Sequence, residues 1–164
     1  MRNVYLCGFM GCGKSHIGRM LAKRLDRTFI DLDGYIEEHE GMTISAIFAE
    51  RGEPYFREAE ARYIREMPEG SIVATGGGAV INPKTAEAAR AAGLIVFLDA
   101  KFELCYKRIA DDPKRPLVMK NTKEELYELY KTRRAVYRRC ATIVVDANGV
   151  DRDITFEIEK GLRR

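Results

Sequence analysis

Short runs of apolar, strand-favouring residues alternate along this chain with longer stretches in which apolar positions recur every three or four residues. The short runs are Val4 to Cys7, Phe29 to Leu32, Ile72 to Ala74, Leu94 to Leu98 and Ile143 to Val145. Each is strand-sized and bounded by glycine, acidic or hydroxyl-bearing residues. The stretches between them are amphipathic; after the first run, Ile17, Met20, Leu21 and Leu25 fall on one helical face. This alternation predicts an α/β fold with a five-stranded parallel sheet covered by helices on both faces. In open sheets of that kind ligands gather at the carboxyl ends of the strands. Gly8 to Ser15, Asp31 to Gly34 and Gly76 to Gly78 occupy those ends.

Two segments break the rhythm. Residues 33–67 hold more helical pattern than one crossover needs, with Ile36, Ile44, Ile47, Phe48, Phe56 and Ile64 as apolar markers, and are read as a small helical subdomain over the site. Residues 111–123 carry two prolines and four cations without helical or strand periodicity, and are read as a mobile lid.

Composition narrows the class without naming a ligand. The 164 residues form one domain, 1–164, with 28 basic and 25 acidic side chains and a formal charge of +3. That balance implies neither a nucleic-acid nor a membrane partner. Cys7, Cys12, Cys105 and Cys140 show no paired or metal-binding spacing, which fits thiols used as small apolar residues in a reducing compartment. No basic leader with an apolar core precedes the first run, and no apolar stretch approaches the ~18 residues that spanning a bilayer requires. A cytoplasmic monomer is the expectation.

The chemistry begins with Gly8-Phe9-Met10-Gly11-Cys12-Gly13-Lys14-Ser15, which satisfies the phosphate-loop pattern G-x-x-x-x-G-K-[ST] between a strand and a helix. Its glycines let successive backbone N–H groups converge on phosphates at a helix N-terminus. Lys14 would reach the β and γ phosphates, and Ser15 would place its hydroxyl on Mg²⁺. ATP is therefore the expected co-substrate.

Other candidates cluster after the later strands. In Phe29-Ile30-Asp31-Leu32-Asp33 the two acids lie two apart, so in extended geometry they point the same way. One could hold the metal's water shell and the other the attacking hydroxyl, although Asp33 could equally cap the next helix. Arg57 and Glu60, three apart on a helix, read either as a plain ion pair or as a carboxylate clamp oriented by Glu60. Arg133 interrupts the stripe of Leu126, Leu129, Tyr130 and Tyr137, as a second arm of that clamp or by snorkelling to water. Gly76-Gly77-Gly78 reads as close backbone approach to a small polar ligand, or as a plain turn. Arg115 precedes Pro116, which restricts its backbone and could aim it at a phosphate; the alternative is a solvated loop charge.

In order and spacing these residues together resemble the shikimate kinases, essentially from end to end. The features are the Gly8–Ser15 loop, Phe29 to Asp33, Ile47-Phe48 through Gly52-Glu53 to Phe56-Arg57 and Glu60, the three glycines, Arg115-Pro116-Leu117, and Arg133 followed by Tyr137. The resemblance implies a three-layer P-loop NTPase fold of the nucleoside-monophosphate-kinase type, with a lid and a small helical substrate-binding subdomain. It also implies transfer of the ATP γ-phosphate to the 3-hydroxyl of shikimate. By that likeness Gly11, Cys12, Gly13, Lys14, Ser15 and His16 hold ATP with Arg115, Ser15 and Asp31 serve Mg²⁺, and Asp33 engages the hydroxyl. Arg57 and Arg133 grip the shikimate carboxylate, Glu60 orients Arg57, Gly77 meets the ring hydroxyls, and Phe48 and Phe56 pack the ring. Arg108 would flank adenine.

Two positions depart from the family pattern. His16 stands where a small residue is usual, and the basic residue expected beside adenine near the C-terminus has only Arg152 as a candidate, out of register. The rivals are a gluconate kinase, which does not require Asp31, Asp33, three glycines and the Arg57–Glu60 pair together, and a non-catalytic sensor. Against the sensor stand Lys14, Ser15, Asp31, Asp33 and Arg115, since a pure binder has no use for a residue on the attacking hydroxyl.

Overall fold

The computed structural model describes residues 1–164. All five strands appear where the apolar runs placed them: β1 (Asn3–Cys7), β2 (Phe29–Asp31), β3 (Ile72–Ala74), β4 (Gly93–Asp99) and β5 (Ile143–Asp146). They form one sheet in the order β2-β3-β1-β4-β5, with every neighbouring pair parallel. The expected five-stranded parallel sheet is therefore observed. Every residue of β1 is buried, as an internal strand covered on both faces must be.

Eight helices complete the chain: α1 (Lys14–Leu25), α2 (Leu32–Glu40), α3 (Ile44–Glu66), α4 (Pro83–Ala92), α5 (Phe102–Ile109), α6 (Pro116–Lys120), α7 (Lys123–Cys140) and α8 (Asp151–Leu162). The main helix contacts pair α3 with α4, α2 with α3 and α1 with α8, while α7 lies against β4. A single apolar core of 40 residues, including Tyr5, Leu6, Ile17, Leu21, Ile64, Ile72, Ile95 and Leu98, joins the layers. Burial pushes the thiols of Cys7 and Cys105 above their ordinary range, so both are neutral core residues, and all four cysteines are free.

Because β1 sits between β3 and β4, the chain leaves it toward one edge of the sheet and later returns on its other side. That reversal opens a crevice at the carboxyl end of β1.

Two local details correct the sequence reading, and a third refines it. Leu32 does not extend β2: it is buried in the first turn of α2 with Ile36, four residues on, so Asp33 lies on a helix rather than beside Asp31 on a strand. The long α3 is broken at Gly52, whose φ of 82° and ψ of 165° are not helical, and Pro54 follows at the start of the second limb. Residues 111–123 are not without regular structure, because Pro116 initiates α6 with Arg115 as its N-cap and Val118 buried. At five residues, that helix is too short to leave a periodic signal.

Candidate active site

The loop between β1 and α1 wraps the start of α1. Gly11 and Gly13 have φ of 81° and 101°, in the left-handed region that side chains disfavour. At Gly11 a Cβ would also fall 2.7 Å from the Cys105 carbonyl oxygen, so α5 closes tightly on the loop. Gly13 is the N-cap of α1, no side chain caps that end, and the first turn holds no acid. The amides there are left for an anion, with the positive end of the helix dipole behind them. Lys14 folds back over the loop, its Nζ donating to the carbonyls of Gly8 at 2.7 Å and Phe9 at 3.3 Å.

In front of this loop lies a polar cavity of about 430 Å³. Gly11, Gly13, Lys14, Ser15, His16, Asp31, Asp33, Gly77, Arg108 and Arg115 all line it, so most of the predicted phosphate-side residues converge there. Although Asp33 sits on α2 rather than on the strand, the turn of that helix still aims it into the same space as Asp31. Burial and the neighbouring Asp31 carboxylate push the Asp33 carboxyl above its ordinary range, while Lys14 and Arg57 hold it back.

A second cavity of about 780 Å³ opens beyond the glycine triplet. Arg57 and Arg133 both line it. The glycines form the partition, Gly76 and Gly77 facing the first cavity and Gly78 the second. Their absent side chains have a spatial reason. A Cβ at Gly76 would lie 3.1 Å from Asp33 Oδ1, one at Gly77 3.3 Å from Arg133 Nη1, and one at Gly78 2.6 Å from Arg57 Nη2. Each glycine thus admits one charged group, and none of the three has positive φ. Thr75 anchors the segment, its hydroxyl donating to the Leu6 carbonyl at 2.8 Å at the end of β1. From α7, the Tyr137 hydroxyl donates to the Gly77 carbonyl. The sequence placed Tyr137 in the apolar stripe and in the family pattern after Arg133, but gave its hydroxyl no partner, since that depends on how α7 crosses the glycine loop.

Arg57 is oriented from behind. Its Nη1 donates to Glu60 Oε1 at 2.9 Å, its Nε lies 3.5 Å from Glu53 Oε1, and it stacks over the Phe56 ring at 5.1 Å. Glu60 is 1% exposed. Burial pushes its carboxyl up to about 7, against the pull of Arg57. A group raised in the folded state gives its full stability below its unfolded value of 4.5 and loses it as pH rises through about 7. Glu60→Gln is therefore expected to stabilise the fold at pH 8 by up to about 3 kcal/mol, with a smaller gain at pH 5. Urea unfolding at the two pH values checks this, and equal gains would rule out burial of charge as the cause.

Other predicted residues fall elsewhere. Cys12 is buried behind the loop and reaches only a smaller cavity of about 260 Å³, which it shares with Gly13, His16, Arg108 and Asp151. The departure at His16 has a partner: its Nε2 lies 2.9 Å from Asp151 Oδ2 at the start of α8, a contact between residues 135 apart that sequence could not pair. Arg108 donates to the Gly11 carbonyl at 2.9 Å, tying α5 to the loop. Phe56 and Phe48 pack with centroids 5.0 Å apart and ring planes tilted by 46°, but Phe56 is buried, Phe48 is exposed, and neither lines either large cavity. Arg152 points away, 85% exposed with only Asp153 at 4.0 Å, and lines none of the three cavities.

The chain matches known proteins over nearly its whole length. The shikimate kinase family model matches residues 10–163. The chain belongs to the shikimate kinase family. The shikimate kinase of Sulfurihydrogenibium sp. is 41% identical over 150 residues, covering 90% of this chain and 89% of that one. The shikimate kinase of Acinetobacter baumannii, solved in complex with shikimate, superposes with a TM-score of 0.89 at 36% identity, over 99% of this chain and 93% of its own. A gluconokinase from Sinorhizobium meliloti shares the fold, with a TM-score of 0.61, but at 19% identity the likeness extends no further. The sheet order and phosphate loop are thus those of the nucleoside-monophosphate-kinase type of P-loop fold, as expected of a shikimate kinase.

Proposed function

We propose that this shikimate kinase performs its reaction across the glycine partition, with ATP phosphates in the cavity of Lys14 and the shikimate ring in the cavity of Arg57 and Arg133. The reaction passes the γ-phosphate of ATP to the 3-hydroxyl of shikimate in the aromatic pathway. The observation that carries the reading is the pairing of two cavities across Gly76–Gly78: the phosphate loop with Lys14, Asp31, Asp33 and Arg115 on one side, and Arg57 with Arg133 on the other. A phosphate donor and a carboxylate-bearing acceptor would then meet at Asp33.

Asp33 accepts the proton of the 3-hydroxyl as its oxygen bonds to the γ-phosphorus and the bond to the ADP oxygen breaks. Lys14 leaves its loop carbonyls for phosphate oxygens, and the α1 amides hold the remaining phosphate charge. Arg115 faces the transferring group, and Arg108 borders the base. Arg57 and Arg133 grip the carboxylate, Gly77 meets ring hydroxyls through its backbone, and Phe56 with Phe48 supports the Arg57 wall.

The donor set fits Mg²⁺. Ser15 and Asp31 line the phosphate cavity, and no cluster of three or more acidic, histidine or cysteine ligands forms a closed cage. Mg²⁺ is ordinarily held by one or two protein oxygens plus phosphates and water, which such a sparse pair suits. Bound there, it would neutralise phosphate charge.

Residues 33–67 serve as the acceptor-binding subdomain and 111–123 as the lid. The working unit is a monomer. The four free cysteines support a cytoplasmic setting, and no helix is long and apolar enough to cross a membrane.

A coupled assay of ADP release tests the acceptor. Release should depend on shikimate; release with gluconate but not shikimate would overturn the proposal. Arg133→Ala is expected to raise KM for shikimate by about 10-fold or more and leave KM for ATP nearly unchanged. A selective loss of ATP affinity would move Arg133 to the nucleotide side.

A further inference from the structure

Behind Arg57, the wall of the acceptor cavity contains two buried side-chain oxygens without hydrogen-bond partners, Glu60 Oε2 and Thr85 Oγ1, and no other side chain is in this state. They come from two packed helices, α3 and α4. Thr85 is fully buried, at 0% exposure. Its companions on the buried face of α4 are Ala86, Ala88 and Ala89, so it is the one polar residue there. A hydroxyl in such a place is unfavourable unless it finds a partner, and valine would fill the same volume without that penalty.

Thr85 bears on the Glu60 carboxylate closely enough to favour its charged form, yet hydrogen-bond geometry is not completed. A small shift of α4 against α3 would complete it. The first turn of α4 is placed to respond to substrate: Asn82, Pro83 and Lys84 line the acceptor cavity, and Lys84 Nζ lies 3.7 Å from Glu58 Oε1 of α3.

We infer that Thr85 is a positioning residue for the acceptor, its hydroxyl donating to Glu60 Oε2 when the cavity is occupied, so that Glu60 Oε1 is held against Arg57 Nη1. This rests on Arg57 gripping the substrate carboxylate. Three groups face the Glu60 carboxylate: Arg57 from its own helix, Thr85 from α4 and Asp33 from α2. Arg57 and Thr85 favour its charged form, and Asp33 opposes it. Without the hydroxyl, Glu60 takes up its proton at higher pH and releases Arg57 sooner as pH falls.

The test compares Thr85→Val, Thr85→Ser and Arg57→Ala in the full chain. Thr85→Val should raise KM for shikimate about fivefold, the order of one net hydrogen bond acting through Arg57, with KM for ATP unmoved. Calorimetric titration with shikimate alone should show the acid-side loss of affinity displaced to higher pH. Thr85→Ser, which keeps the hydroxyl, should restore both. A folded Thr85→Val with wild-type KM and an unmoved pH profile overturns the inference, as does a Thr85→Ser that fails as Thr85→Val does. If Arg57→Ala raises KM while Thr85→Val does not, only the role of Thr85 falls. If Arg57→Ala leaves KM unchanged, the clamp itself is wrong and the inference goes with it.

Discussion

Asp33→Asn is expected to lower kcat by about 10²- to 10⁴-fold, the range set by loss of a positioned general base. KM for ATP should stay within about twofold, because the phosphates are held by Lys14 and the α1 amides rather than by Asp33. Asparagine keeps the shape of the side chain and can still accept a hydrogen bond from the hydroxyl, but it cannot take the proton. The setting of Asp33 suits proton transfer, since burial and Asp31 raise its carboxyl and strengthen it as a base, while Lys14 and Arg57 oppose that rise. The acid limb of kcat against pH should consequently disappear in the variant. Steady-state ADP release across pH measures both quantities. An unchanged kcat would take Asp33 out of proton transfer and leave it as a spacer against Gly76.

Asp33 also illustrates how much of the site the sequence carried. Its membership was legible from two acids following a strand, but its local geometry was not. Phe29-Ile30-Asp31-Leu32-Asp33 alternates as a strand does, and only Ile36, one helical turn after Leu32, signals that the helix has already begun. The sheet was legible because each strand is an uninterrupted apolar run with a polar stop. The glycine triplet was legible as close approach, but not what approaches: Asp33, Arg133 and Arg57 arrive from α2, α7 and α3. Long-range pairs were out of reach for the same reason. The contacts of His16 with Asp151 and of Tyr137 with Gly77 depend on how α8 and α7 return to the loop ends of the strands. Thr85 left no signal, since one threonine in an alanine-rich helix resembles any surface position until α4 docks on α3.

The other large effect is expected at the lid. Arg115→Ala should lower kcat by roughly 10³-fold, about 4 kcal/mol of transition-state stabilisation, the lower end for an arginine that meets the charge of a transferring phosphoryl group. Arg115 is the N-cap of α6, with φ of −110° and ψ of 96°, an extended backbone of the kind that the following Pro116 enforces. Its Nε lies 3.1 Å from Asp112 Oδ2, which anchors one edge of the guanidinium while the side chain, 40% exposed, lines the cavity of Lys14. A half-exposed pair of this kind contributes little to the fold, on the order of 1 kcal/mol or less, so Tm should scarcely move. The loss should therefore be catalytic rather than structural. Arg115→Lys should recover only part of it, because an ammonium is a single point of charge whereas guanidinium meets two oxygens at once. Asp112→Asn should weaken kcat more mildly by releasing the anchored edge. If Arg115→Ala instead raises KM for ATP and preserves kcat, the guanidinium binds phosphate equally in ground and transition states, and stabilisation of the transfer must come from Lys14 and the α1 amides alone.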